Sequence, residues 1–195
     1  QIAIDVEDCP DSIDPILRSA DLTDNILEMN LGCLLTQGTQ GDGFEMGLDA
    51  ARAATSPPLL NAENAGLVRP DADLALVFLS DENDCSHTVG AFDLTNGSVC
   101  EWYRDDLTPT QDYVDHFVQL KGQRKVFAAA IVAPDDGARF DSPDSVQPSC
   151  TSDYGTGFSG YRYQEFVGSF ESGTISNICQ FPLNITDIAT LFATP

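Results

Sequence analysis

Two stretches are almost free of polar residues, ADLALVFLS at 72–80 and KVFAAAIVAP at 125–134. Each has the length of a strand, and neither alternates. A strand reads that way when both of its faces are covered, which is the condition of a parallel sheet. Between and around them lie segments of helical period. FEMGLDAARAAT (44–55) places Phe44, Leu48, Ala51 and Ala54 on one helical face. TPTQDYVDHFVQLKG (108–122) does the same with Tyr113, Phe117 and Leu120, capped by Thr108 or Thr110 and stopped by Gly122. YRYQEFVGSF (161–170) and DLTDNILEMN (21–30) read as further helices, NITDIATLFAT (184–194) as a last one, and a short helix is expected from Asp14 or Pro15. QIAIDV (1–6) reads as a strand, GTISNICQ (173–180) as a short strand or turn, and 135–160 as a long loop. Strand and helix alternate, so the expected class is α/β with parallel strands and right-handed crossovers.

Charge narrows the partners. The chain of 195 residues, one domain in length, carries 31 acidic and 9 basic residues, a net of -22. Phosphate backbones and anionic membrane surfaces would be repelled, so nucleic acid and such membranes are excluded as expected partners. Asp outnumbers Glu 23 to 8. Short carboxylates suit turns and hard cations, whereas the plainer reading is a solvated acidic surface.

The six cysteines, Cys9, Cys33, Cys85, Cys100, Cys150 and Cys179, form no C-x-x-C pair, and His87 and His116 are the two histidines. That argues against zinc and for three disulfides in an oxidising, extracellular setting. Neighbour pairing, which closes the shortest loops, is expected among fifteen possibilities. The chain begins at Gln1, so an upstream segment is expected to have been removed. Asn96-Gly-Ser98 and Asn184-Ile-Thr186 match the glycosylation acceptor pattern.

Four segments in order carry a resemblance. GDGFEMGLDAARAA, GLVRPDADLALVFLSDENDCS, KGQRKVFAAAIVAP and RYQEFVGSFESGTISNIC resemble the von Willebrand factor type A-like domains of secreted bacterial proteins, from about residue 31 to 190. The resemblance implies a doubly wound, mostly parallel sheet with helices on both faces, stabilised here by disulfides, and a single domain over 1–195. It also implies ligand binding at the carboxyl ends of the strands. Many members hold Mg²⁺ or Ca²⁺ there, through a D-x-S-x-S loop, a threonine in a second loop and an aspartate in a third. Asp81 matches the third-loop aspartate. Thr39 is the choice for the threonine, Thr36 the runner-up, and Asp42 could serve instead. No stretch fits D-x-S-x-S; DVEDCPDS (5–12) is the nearest and has the wrong residues. Residues 1–6 then read as the family's second strand, with the first strand and its helix missing.

The expected function is an extracellular, secreted binding or adhesion module that engages a protein partner or neighbouring subunit, with Ca²⁺ or Mg²⁺ at Asp81. The alternative is a structural subunit of an extracellular assembly, completed by a strand from another chain and without metal. Asp81, Glu82 and Asp84 weigh metal binding against a solvated loop. Asp135, Asp136, Asp141 and Asp144 could make a calcium loop, without the EF-hand spacing. Ser86 beside His87 invites a hydrolase reading, but adjacent residues seldom pair as nucleophile and base and G-x-S-x-G is absent, so no enzyme is expected. His116 reads as a packed or surface residue, and Trp102, Tyr103 and Tyr154 as partner contacts or disulfide cover. GTQGDG lacks the lysine of a phosphate loop.

Overall fold

The computed structural model describes residues 9–10, 13–14, 16–17, 23–35, 43–88, 104–135, 147–153 and 155–180. The elements are α1 (Asp24–Leu35), α2 (Gly47–Ala54), β1 (Leu74–Leu79), α3 (Thr110–Lys121), β2 (Val126–Val132), β3 (Cys150–Ser152), β4 (Gly155–Gly157), α4 (Tyr161–Gly168) and β5 (Gly173–Asn177). Single 3₁₀ turns lie at Leu59–Asn61 and Arg104–Asp106.

Both apolar runs are strands, and they pair in parallel from Leu74 opposite Val126 to Leu79 opposite Ile131. β5 pairs in parallel on the other side of β2, giving the order β1-β2-β5. The chain is therefore α/β, as its alternation of periods implies. β2 is the middle strand and the most buried, with Ala128, Ala129 and Ala130 all at 0% exposure. Small side chains there let helices approach closely. One face of the sheet carries Leu74, Leu76, Phe78, Ala128, Ala130 and Val132, against which α2 packs through Leu48, α3 through Tyr113, Val114 and Phe117, and α4 through Tyr163, Phe166 and Val167. On the other face Ala129 and Ile131 are buried with Ile178 against them. Val77 and Leu79, on that same face of β1, are each half exposed.

Two glycines are there because a side chain would not fit. A Cβ on Gly160 would lie 2.7 Å from the Cβ of Val132, so only glycine brings the start of α4 onto the end of β2. A Cβ on Gly47 would collide with the Tyr163 hydroxyl. At the end of α3, Gly122 takes φ 59°, the left-handed stop expected of it.

Several expectations shift. α1 ends five residues beyond the expected 21–30 segment. Residues 13, 14, 16 and 17 are not helical; Asp14 Oδ1 instead accepts the Ile16 N–H at 2.8 Å, an Asx turn. Pro109, not Thr108 or Thr110, caps α3. The supposed loop 135–160 contains the antiparallel hairpin β3–β4, with Cys150 opposite Gly157. The expected strand at 1–6 and helix at 184–194 lie outside the described residues.

Cys9–Cys33 and Cys150–Cys179 are disulfides, as neighbour pairing requires. Cys85 is also disulfide-bonded; its expected partner Cys100 lies outside the described residues. These bonds are consistent with a non-cytoplasmic protein. No described helix is long and apolar enough to cross a membrane.

Phe166 lies at the centre of the aromatic core. Its ring meets Phe78 at 5.5 Å, Phe117 at 5.8 Å and Phe170 at 5.1 Å, all edge-on. Phe166→Ala is expected to cost about 3–5 kcal/mol in urea unfolding, and a loss below about 1 kcal/mol would show that this cluster is not the core.

Candidate functional site

The C-terminal end of β1 runs into SDENDCSH, residues 80–87, whose members divide sharply by burial. Asp81 and Glu82 are exposed, whereas Asn83, Asp84, Cys85, Ser86 and His87 are all buried.

The buried half works on the helices. Neither α2 nor α4 has a capping side chain of its own, since Met46 and Gly160 occupy the N-cap positions. The first-turn N–H groups would otherwise be buried without partners. The loop supplies the acceptors. Asp84 Oδ1 accepts from Leu48 N at 2.9 Å, and Ser86 Oγ from Asp49 N at 3.0 Å, capping α2. Asn83 Oδ1 accepts from Arg162 N at 3.2 Å, capping α4. The Ser86 hydroxyl donates to Asp84 Oδ1 at 2.7 Å, and the Ser86 N–H donates to Oδ2 at 3.2 Å.

Asp84 is paired with Arg162, whose Nε donates to Oδ2 at 3.0 Å, both side chains being almost fully buried. The second arm of the guanidinium donates to the Thr108 carbonyl at 2.7 Å, just before α3. Thr108 N in turn donates to Ser86 O at 3.0 Å. One loop thus gathers the starts of three helices at the end of β1. The Tyr163 hydroxyl sits beside it, its pKa pushed up first by burial and then by the charges of Asp84 and Glu45.

The exposed half is different. Glu82 has its pKa raised, first by partial burial, then by the neighbouring charges of Asp81 and Glu45. Glu45 comes from the segment leading into α2, where its carbonyl accepts the Cys85 N–H at 2.6 Å. Asp81 is held at its backbone, its carbonyl accepting Phe158 N at 2.7 Å, and its carboxylate stays at the surface. The charges of Asp81 and Glu45 thus both act on Glu82 where the strand ends, while Arg162 is already taken by Asp84.

Of the sequence-derived candidates, the structure places Asp81 at the strand end. Thr39, Thr36 and Asp42 lie outside the described residues, as do Asp136, Asp141, Asp144, Trp102, Tyr103, Tyr154 and both glycosylation patterns. Asp135 accepts from the Ser159 hydroxyl at 3.1 Å. Ser86 is no nucleophile in this arrangement: it is fully buried, with its hydroxyl proton on Asp84 and its oxygen on a helix N–H. His87 Nδ1 lies 2.8 Å from the Cys85 carbonyl, with the ring against Phe44. His116 packs between helices, its Nε2 3.0 Å from Thr55 Oγ1. Arg162 and Glu45 are the residues that sequence reasoning did not single out. Arg162 had one signal: it is one of 9 basic residues in the chain and opens the matched Arg-Tyr segment.

The carboxylate oxygens of Asp81, Glu82 and Glu45 have the donor chemistry that hard Ca²⁺ and Mg²⁺ prefer. Among the described residues, however, no group of three or more His, Cys, Asp or Glu is arranged to hold an ion.

Two expectations separate the halves of the loop. Asp84→Ala strands a buried guanidinium and uncaps α2, so it is expected to cost about 3–5 kcal/mol in urea unfolding, whereas Asp81→Ala is expected to stay within about 0.5 kcal/mol. Equal effects would overturn the division. For Glu82 the sign follows from its raised pKa. The repulsion is fully present at neutral pH and is relieved as pH falls through the raised value towards the ordinary 4.5. Glu82→Gln should therefore be more stable than the parent at pH 7 and lose that advantage on acidification, as read by thermal unfolding across pH.

No family model, curated protein or solved structure matches the chain.

Proposed function

We propose that the chain is an extracellular binding module of the von Willebrand A-like kind, doubly wound, that engages a protein partner at the rim where β1 ends. Ca²⁺ or Mg²⁺ bound at Asp81 takes part in that contact, with Thr39 or Asp42 as the ligand expected from the segment before α2. The observation that carries this reading is the exposed acidic pair Asp81 and Glu82 at the end of β1, where Glu82 is held above its ordinary pKa first by partial burial and then by the charges of Asp81 and Glu45. A cation entering there relieves repulsion that the fold otherwise sustains, and a carboxylate from a partner could complete its coordination. Surface position and oxygen chemistry support the reading, and the disulfides among the described residues fit its extracellular setting.

Calorimetric titration of the chain with Ca²⁺ and with Mg²⁺ tests it. One site is expected, with a dissociation constant on the order of 10⁻⁴–10⁻³ M as in other extracellular modules. That site should be lost in Asp81→Ala and weakened in Glu82→Gln. No uptake at several millimolar would defeat the metal part of the proposal.

A second reading has its own observation. Among the described residues β1 pairs only with β2, and its Val77 and Leu79 side chains are half exposed. An apolar edge strand is a template for a strand from another chain, which would make this a structural subunit without metal. Leu74 N donates to Lys125 O and Ser80 N to Ile131 O, so the even-numbered amides face β2 and those of Ala75, Val77 and Leu79 face away. Hydrogen exchange of the isolated chain distinguishes the cases. Fast exchange at Ala75, Val77 and Leu79, with slow exchange at Leu76 and Phe78, is expected for an open edge; uniformly slow exchange would count against strand completion by a partner.

A further inference from the structure

The helices α2, α3 and α4 all pack on one face of the sheet. The alternation of side chains puts Ala75, Val77 and Leu79 of β1, with Phe127, Ala129 and Ile131 of β2, on the other. Ala129 is fully buried there and Ile131 nearly so. Among the described residues, Ile178 is the apolar side chain packed against them. Val77 and Leu79 beside them are half exposed. A parallel sheet whose middle strand is apolar on both faces needs a second layer, and Ile178 alone is too small to be one.

The path of the chain points to the occupant. After β5, Ile178 N donates to Val132 O at 3.1 Å, its side chain lies on this second face, and Cys179 is bonded to Cys150. The chain therefore leaves the sheet at its C-terminal edge, on the side that lacks a helix. The segment FPLNITDIATLFATP, 181–195, follows and lies outside the described residues. It holds one charged side chain, Asp187, in a chain that is 21% charged, a composition suited to burial and not to a solvated surface. At helical spacing Ile185, Ile188 and Phe192 share one face, with Thr186, Asp187, Thr190 and Thr194 opposite. Eleven residues of helix span about 16 Å, against about 13 Å of β1 from Leu79 back to Ala75. The four steps from Gln180 to Asn184 reach about 14 Å, enough for the two strand spacings, about 10 Å, between β5 and β1. A second copy of the chain is the poorer occupant, since each copy carries a net charge of -22.

We propose that residues 181–195 are the second layer, docked in cis on the face made by Val77, Leu79, Ala129 and Ile131. Running back from the C-terminal edge, Ile185 meets Leu79 and Ile131, Ile188 meets Val77 over the small Ala129, and Phe192 meets Ala75. The docked segment covers the face of β1 and leaves its edge amides untouched. It is therefore independent of the metal and of the strand proposed for the rim and the edge.

NMR of the whole methyl-labelled chain tests this without a variant. Cross-relaxation is expected between the Ile188 and Val77 methyls and between the Phe192 ring and the Ala75 methyl, unchanged on tenfold dilution. Contacts of Val77 and Leu79 with residues 1–8 in place of 181–195, contacts that arise only between differently labelled copies, or no long-range contact at all would each overturn the proposal. A pair of substitutions gives a second readout. Phe192→Asp, which turns a charge inward, is expected to lower the urea midpoint and raise binding of an apolar dye severalfold, whereas Thr190→Asp on the outer side leaves both unchanged. Equal effects of the two would also overturn it.

Discussion

A carboxylate with no exposure to water must be fully satisfied, and Asp84 meets that demand with donors from three separate places. Leu48 N, the two Ser86 donors and Arg162 Nε all converge on its two oxygens. The pair with Arg162 alone would be weak evidence of stability, since desolvating two charges costs about what their attraction returns. What the pair adds is position. Arg162 is the second residue of α4, its backbone N–H rests on Asn83, and its far arm reaches the carbonyl of Thr108. Moving any of the three helix starts would leave buried donors or acceptors unpartnered. That cost is steep with displacement, as hydrophobic contact is not.

The core beneath is less demanding, and its shape explains why the loop is where it is. β2 turns Ala128 and Ala130 to the face that the helices cover, so α3 and α4 settle close to the sheet and bring their starts to its C-terminal edge. Gly160 removes the last obstacle, at Val132. Parallel strands share one direction, so the ends of β1, β2 and β5 reach the same edge. The hairpin β3–β4 is fastened there as well, through Cys150–Cys179 and the bond from Phe158 to Asp81. A rim built in this way can carry exposed groups at fixed separations, because the neighbours on both sides are anchored.

Much of this was legible in the order of residues. Continuous apolar runs mark both strands; in β2 this is because a strand covered on both faces has no reason to alternate, whereas in β1 one face, with Val77 and Leu79, is half exposed among the described residues. The helices at 47–54, 110–121 and 161–168 follow from a 3.6-residue period and from Gly122. The hairpin was not legible: its strands are three residues each, CTS and GTG, without an apolar face, and tertiary anchoring defines them. Nor was the division within SDENDCSH. Asp81 and Asp84 are chemically the same residue three positions apart, and composition gives no sign that one is solvated and the other sealed. The deciding residue, Arg162, lies 78 positions further along, a separation that local pattern cannot span. The capping of α2 and α4 was hidden for the same reason, since Met46 and Gly160 offer nothing and the acceptors come from far away in sequence.

That division bears on what the rim can do. Had Asp84 been exposed with its neighbours, the loop would hold one more negative charge in a chain already at -22, with nothing nearby to fix its path. Sealed against Arg162, it contributes no net charge to the surface and serves as the anchor from which Asp81 and Glu82 project. The repulsion between those two and Glu45 is tolerable because water still reaches them and screens it. Screening would fail if that water were removed, and the like charges around Glu82 would then have to be offset. That electrostatic asymmetry, stable while solvated and costly once covered, is the physical basis of the cation and partner proposed above for this rim.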